Sequence, residues 1–182
     1  MRPDPGPALL ELYDQALPEV YGYLLSRCGQ RSLAEDLTAE TFLAAVEAVR
    51  GGQTGRRPPR ELTTAWLVGV ARHKLVDHWR RLEREGRGLR LASAGAGVGV
   101  GVGDERAADD DPWDERLDAL LAREVLMTLG PHHRAALTLR YLDGLPVPDV
   151  AEHLGRTVHA TEALLVRAKA AFRQAYQRKE GP

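Results

Sequence analysis

Residues 66–81 read Trp66-Leu-Val-Gly-Val-Ala-Arg-His-Lys-Leu-Val-Asp-His-Trp-Arg-Arg81. The stretch predicts one helix. Thr63 or Thr64 can cap it, because a threonine oxygen can accept a bond from an orphan first-turn amide. Leu67, Ala71, Leu75, His78 and Leu82 recur at three- and four-residue steps and form an inner stripe. Trp66, His73, Asp77 and Arg80 fall on the opposite side. Such a face suits a strand of nucleic acid, since cations take phosphate and rings take bases. Taken alone, the helix reads more readily as a solvated polar face with Trp66 and Trp79 half in the core.

Working outward, the N-terminal flank is helical. Pro7 opens a short helix through Ala16, and Pro18 suits the first turn of a second, where its missing amide costs nothing. Val20, Tyr21, Leu24, Leu25 and Cys28 give that helix an apolar face, and Gly29 ends it. Ser32 and Glu35 have the spacing of a capping box for a helix from Leu33 to about Val49. Phe42, Ala45, Val46 and Val49 share one side of it. Asp36, Glu40 and Glu47 share another, a pattern that is usually a solvated face. Gly51 to Arg60 is a loop by its glycines and the Pro58-Pro59 pair.

Beyond Arg81, Arg84, Arg87 and Arg90 extend a basic tail. Residues 89–115 predict a flexible linker: Gly95, Gly97, Gly99, Gly101 and Gly103 alternate with Ala and Val, and Asp109-Asp110-Asp111 follows. Glycines at every second position cannot fit a dinucleotide-binding loop. From Arg116 the helical period resumes. Leu117, Leu120, Leu121, Val125, Leu126 and Leu129 mark one helix. Pro131 begins the next, with Ala135, Leu137, Leu139, Tyr141 and Leu142. Pro148 to Leu154 is short, Gly155-Arg156-Thr157 turns the chain, and a last helix runs from Val158 past Tyr176 on a stripe of Thr161, Leu165, Ala168 and Phe172. The expected class is all-α: two small helical domains, 1–88 and 116–182, on a tether.

Charge is unevenly divided. Residues 1–90 hold 14 Lys+Arg and 12 Asp+Glu, a net of +2; residues 91–115 hold 1 and 7, a net of −6; residues 116–182 hold 10 and 7, a net of +3. Two mildly basic segments therefore flank an acidic one, and the whole-chain charge of −1 says little about partners. Cys28 is the only cysteine, so no internal disulfide forms. Nothing near Met1 resembles a signal peptide, and no apolar run approaches the ~18 residues of a membrane span. The expectation is a cytoplasmic protein without membrane insertion.

The final two helices have helix-turn-helix proportions. Ala151 is small where helices cross, and Gly155 permits the turn. The second helix could enter a major groove with Thr157, His159, Ala160, Glu162 and Ala163 toward base edges and Arg167 and Lys169 toward phosphate. Enzyme signatures are missing: there is no H-E-x-x-H, Walker loop or G-x-S-x-G. No catalytic residue, cofactor or metal is expected. His132-His133 reads as surface histidines, because adjacent helical residues point about 100° apart.

The combination resembles a known family. Ala34-Glu-Asp-Leu-Thr-Ala-Glu-Thr-Phe-Leu43 and Ala65 to Arg81 are similar to region 2 of sigma-70 family factors. Leu129-Gly-Pro-His-His-Arg134, Leu139-Arg-Tyr-Leu-Asp-Gly-Leu145, Val150-Ala-Glu-His-Leu-Gly155 and Arg167-Ala-Lys169 are similar to region 4. The presence of these two regions alone looks like the extracytoplasmic-function (ECF) group of bacterial sigma factors, and it spans about residues 8–90 and 116–178.

The resemblance implies roles. Asp36, Glu40 and Phe42 match positions that dock on the coiled-coil clamp of the polymerase's largest core subunit. Trp66, Arg72, His73, Lys74, Asp77, Arg80 and Arg81 lie in the segment that opens and reads the promoter's minus-ten element. Arg156, Thr157, His159, Ala160, Glu162, Ala163, Arg167 and Lys169 lie in or beside the helix that reads the minus-thirty-five element. The acidic linker matches the segment that threads toward the RNA exit channel. Implied partners are core RNA polymerase, promoter DNA and an anti-sigma factor. The sequence departs from the family at Ala39, usually glutamine; at His73, often asparagine; at Thr161, usually valine; and at Glu162 and Leu164, often basic. The implied activity is promoter recognition, strand opening and transcription initiation without catalysis by this chain. The alternative is a helix-turn-helix DNA-binding regulator without polymerase-core function, which gives the Asp36 stripe and the aromatic-basic helix no task.

Overall fold

The structure, a computed structural model, describes residues 6–49, 62–93 and 119–180. These are all-helical, with no strand among the described residues. In order they form α1 (Gly6–Cys28), α2 (Arg31–Val49), α3 (Thr64–Ser93), α4 (Ala119–Thr128), α5 (Pro131–Leu137), α6 (Val147–Leu154) and α7 (Val158–Glu180). A π-helical segment, Thr138–Leu142, follows α5 directly. The chain packs as two compact units, Met1–His78 and Trp79–Pro182, so α3 contributes residues to both. The expected Gly51–Arg60 loop and most of the expected linker lie outside the described residues. The linker's first residues, up to Ser93, are helical as the end of α3.

In the first unit, α1 is one helix, not two. Pro18 sits inside it. Leu12, Ala16, Val20, Leu24 and Cys28 are all buried, a four-residue rhythm that runs straight through the proline. A mid-helix proline costs ~3 kcal/mol, and an unbroken buried stripe on both sides of it can meet that cost. The capping box is also absent. Ser32 lies within α2 and Glu35 accepts from Arg31 Nε at 2.9 Å, so the pair that reaches across one turn is Arg31–Glu35. Ala34, Leu37, Phe42, Ala45 and Ala48 are the buried face of α2. Thr38 and Thr41 are buried with them and donate to their own helix, to the carbonyls of Ala34 (2.6 Å) and Leu37 (2.7 Å). That satisfies hydroxyls with no access to water.

Thr63 caps α3 by accepting from the amide of Trp66 at 3.2 Å. The buried side of α3 is Leu67, Ala71, Leu75, Val76 and Trp79. Leu82, expected on this stripe, is 39% exposed.

In the second unit Val125, Leu126, Leu129, Leu137, Ala168, Ala175 and Tyr176 form a core from α4, α5 and α7. Leu120, expected on the inner stripe, is 77% exposed. Arg134 fastens the corner between α4 and α5: its Nη2 donates to the carbonyls of Met127 and Leu129, taking up acceptors that the end of α4 leaves over. The wider π turn carries Tyr141 and Leu142 outward, at 45% and 51% exposure, where a regular helix would have kept their stripe inside. Val150, Ala151 and Leu154 of α6 are buried. Gly155 then adopts φ 62°, ψ 41°, and Arg156 N donates back to Ala151 O at 2.9 Å. A side chain in that left-handed conformation is strained, which is why glycine ends α6. Thr157 caps α7 through a bond from Ala160 N at 3.2 Å.

Candidate functional site

The acidic stripe of α2 is an exposed face: Asp36, Glu40 and Glu47 are all open to solvent. Glu40 is not isolated on it, since its carboxylate lies 3.6 Å from Lys74 Nζ of α3. The packing separates the third expected member from these two. Phe42 is 7% exposed and its ring meets Tyr13 at 4.6 Å between centroids. It anchors α1 to α2, and the exposed apolar residue near the acids is Leu43, at 59%. Leu43 follows Glu40 by three residues and Asp36 by seven, which places all three on one helical face. That spacing was visible in the sequence.

On α3, Trp66, His73 and Lys74 are half-buried and Asp77 is exposed, all within the first unit. Arg72 is half-buried as well. Gly69 falls between Trp66 and His73 by spacing, and a Cβ built there meets nothing within 4 Å. The space over Gly69 is therefore open, with Trp66 and His73 about one turn away to either side along the helix. Arg80 and Arg81 are exposed and continue the helix in the second unit, where Arg81 Nε is 4.0 Å from Glu85.

On α7 and the turn before it, Thr157, His159, Glu162, Ala163 and Arg167 are exposed, and Arg156, Ala160 and Lys169 are half-buried. The fold therefore presents the expected recognition residues together. Two positions that depart from the family are buried. Leu164 is 1% exposed and belongs to the core, so it takes nothing from the charge of the outer face. Thr161 is fully buried, and its hydroxyl donates to Thr157 O at 2.9 Å, so a threonine replaces an apolar core residue without an unmet donor. Glu162 lies 4.0 Å from His159 Nδ1, an acid paired on the recognition face itself. Lys169 Nζ stands 5.4 Å from the Tyr141 ring centroid, a cation–π contact that ties α7 to the π segment.

His132 and His133 are half-buried, contrary to their reading as surface residues. Their rings meet at 4.2 Å. The pKa of His133 is lowered from 6.5 to about 4, chiefly because burial strips solvent from the charged ring, with His132 and Arg167 adding repulsion and Glu83 opposing. Among the described residues no group of three or more His, Cys, Asp or Glu could hold a metal ion. Among them, too, no helix is long and apolar enough to cross a membrane.

Comparison with known proteins agrees with this arrangement. The sigma-70 region 2 family matches residues 12–85 and the sigma-70 region 4 family matches residues 119–172. The ECF RNA polymerase sigma factor SigC of Mycobacterium tuberculosis is 30% identical over 140 residues, covering 76% of this chain and 68% of SigC. The chain belongs to the ECF group of the sigma-70 family. The ECF RNA polymerase sigma factor BldN of Streptomyces coelicolor is 32% identical over 157 residues, which cover 86% of this chain but 56% of BldN. The chain thus spans little more than half the length of that relative. A solved structure of the sigma factor RpoE in complex with the anti-sigma factor NepR, from Bartonella quintana, shares the fold at a TM-score of 0.51 and 19% identity, over 91% of this chain and 94% of RpoE. The family membership gives the two helical surfaces, which sit on separate regions of the chain, a common context.

Proposed function

We propose that the chain is a promoter-specificity subunit, which lends core RNA polymerase the recognition and opening of promoters and performs no catalysis itself. One observation carries the reading: a single chain joins an exposed acidic face with an apolar knob, Asp36, Glu40 and Leu43, to a helix-turn-helix whose outer face is open. A DNA-binding regulator would use the second and leave the first idle.

In this reading the functional divisions are residues 1–88 and 116–182. Asp36 and Glu40 meet basic groups of the polymerase clamp, and Phe42 supports their helix from inside. Trp66, Arg72, His73, Lys74 and Asp77, with Arg80 and Arg81, engage the minus-ten element. Trp66 and His73 supply rings for unpaired bases, and stacking of this kind is worth ~1–3 kcal/mol per base. Arg156, Thr157, His159, Ala160, Glu162, Ala163, Arg167 and Lys169 engage the minus-thirty-five element. Glu162 beside His159 leaves that face with fewer free cations, so upstream recognition leans on Arg156, Arg167 and Lys169. The work is done in the cytoplasm, where the polymerase is, and an anti-sigma factor is the class of partner that controls it.

Run-off transcription with purified core polymerase on genomic promoter fragments tests the reading. Discrete transcripts that require this chain are expected. DNA binding by the chain without any such transcript would return the regulator in its place.

A further inference from the structure

Two basic side chains of the second unit converge on one carboxylate. Arg156 Nη2 lies 3.5 Å from Glu83 Oε1, and His132 Nδ1 lies 4.0 Å from the same oxygen. Glu83 is on α3 beyond Trp79 and belongs to the same compact unit as both partners. Its side chain is only 17% exposed. A carboxylate so covered gives up much of its hydration and is held only where cations replace the water.

The basic wall is wider than those two residues. The His133 ring meets that of His132 at a tilt, and it senses the positive charge of Arg167 as well as the negative charge of Glu83. The wall thus draws on α5, on the turn before α7 and on α7 itself. One guanidinium and one imidazole on the acid, with a second imidazole and the charge of a second guanidinium beside them, make a lining suited to an anion. On a helix-turn-helix unit, the anion that arrives beside the recognition helix is a backbone phosphate. Neither histidine figures among the DNA-reading residues of the preceding section.

We infer that His132, His133, Arg156 and Arg167 form a phosphate site for duplex DNA, and that Glu83 occupies it in the free protein as an internal stand-in. Glu83 must leave before a phosphate can enter. A second contact seats α3 on the same turn: a Cβ on Gly155 would meet Arg80 Nη2 at 2.5 Å, so the guanidinium lies directly against the glycine. DNA binding therefore exchanges one anion for another, and the free chain holds its own recognition helix partly covered. The inference rests on the DNA-binding reading of α7 given above.

The test uses the full chain and a fluorescein-labelled DNA duplex of mixed sequence, since a backbone contact needs no particular promoter. Anisotropy across a salt series reads the affinity. Glu83→Gln should tighten binding by about threefold or more, the scale of one partly exposed ion pair. The double variant His132→Gln, His133→Gln should weaken binding by about threefold through lost hydrogen bonds to phosphate, and Arg156→Gln should in addition make the logarithmic salt dependence shallower by about one. In the unaltered chain, adding duplex should shift the imidazole NMR resonances of both histidines. The inference is overturned if Glu83→Gln binds no tighter, or if duplex leaves those resonances in place. It is also overturned if inorganic phosphate alone shifts them as far as duplex does, which would assign the wall to a free anion. None of these failures would touch run-off transcription, whereas a chain that bound duplex as described and supported no transcript would fail the proposed function alone.

Discussion

The carboxylate of Glu40 on α2 and the ammonium of Lys74 on α3 stand 3.6 Å apart, at 50% and 33% side-chain exposure. The pair joins the face proposed to meet the polymerase with the helix proposed to meet DNA. Exposed pairs of this kind contribute ~0.2–1 kcal/mol, so the contact does little for the fold. Close charge pairs at a partly desolvated interface can matter far more, ~1.5–7 kcal/mol. Glu40→Lys should therefore lower thermal stability slightly and weaken co-purification with core polymerase strongly. Adding Lys74→Glu should restore the stability and not the co-purification. Recovery of both would show that Glu40 acts only through Lys74.

Phe42 and Leu43 are neighbours with opposite fates, 7% and 59% exposed. Phe42→Ala removes the ring that meets Tyr13 and should cost ~3–5 kcal/mol in chemical denaturation. Leu43→Ala removes an exposed side chain and should change stability by ~0.5 kcal/mol or less, yet weaken association with core polymerase. If Leu43→Ala bound core polymerase like the unaltered chain, the interface would be acidic alone.

How far the sequence could be read depended on what each signal measures. Hydrophobic period located every helix, because the stripe is a direct image of the buried face. Local punctuation misled where burial outweighed it. Pro18 reads as a helix start, but the stripe from Leu12 to Cys28 continues through it. Ser32 and Glu35 read as a cap, but Arg31 is near enough to take the glutamate. The helical period put Phe42 on the inner side of α2, where it is buried, and only the resemblance gave it a docking role. The sigma-70 resemblance put the proposed DNA-reading residues on α7 and the turn before it, and most of them are exposed there. It marked Leu164 as a departure at an often basic position, and a family position does not disclose a local burial of 1%. Glu83, His132 and Arg156 are far apart in the chain, and no spacing rule connects them.

His133 predicts an acid-labile second unit. Its pKa is 6.5 in the unfolded chain and about 4 in the folded one. Between those values the unfolded chain binds more protons, so the stability present above pH 6.5 is lost as pH falls toward 4. Thermal melting followed at pH 7 and pH 5 should show a fall for the unaltered chain and a smaller fall for His133→Gln. Equal falls would assign the acid sensitivity to carboxylates elsewhere.

Gly69 offers the sharpest separation of stability from strand opening. A glycine inside a helix costs ~1 kcal/mol relative to alanine. Gly22 of α1 and Gly69 of α3 are both helix-interior glycines, and a Cβ at either meets nothing within 4 Å. On stability grounds Gly22→Ala and Gly69→Ala should behave alike, each raising the unfolding free energy by ~1 kcal/mol. Their surroundings differ. Gly69 shares its face with Trp66 and His73, and a methyl there would occupy open space that the proposed function assigns to an unpaired base. Gly69→Ala should accordingly reduce open-complex formation with core polymerase, read as permanganate reactivity of unpaired thymines, while Gly22→Ala leaves it unchanged. The defect should be smaller on a pre-melted template, as should that of His73→Ala, because a template already open needs less from the rings that capture its bases. A Gly69→Ala variant that is more stable and opens duplex promoters normally would remove this face of α3 from the melting step.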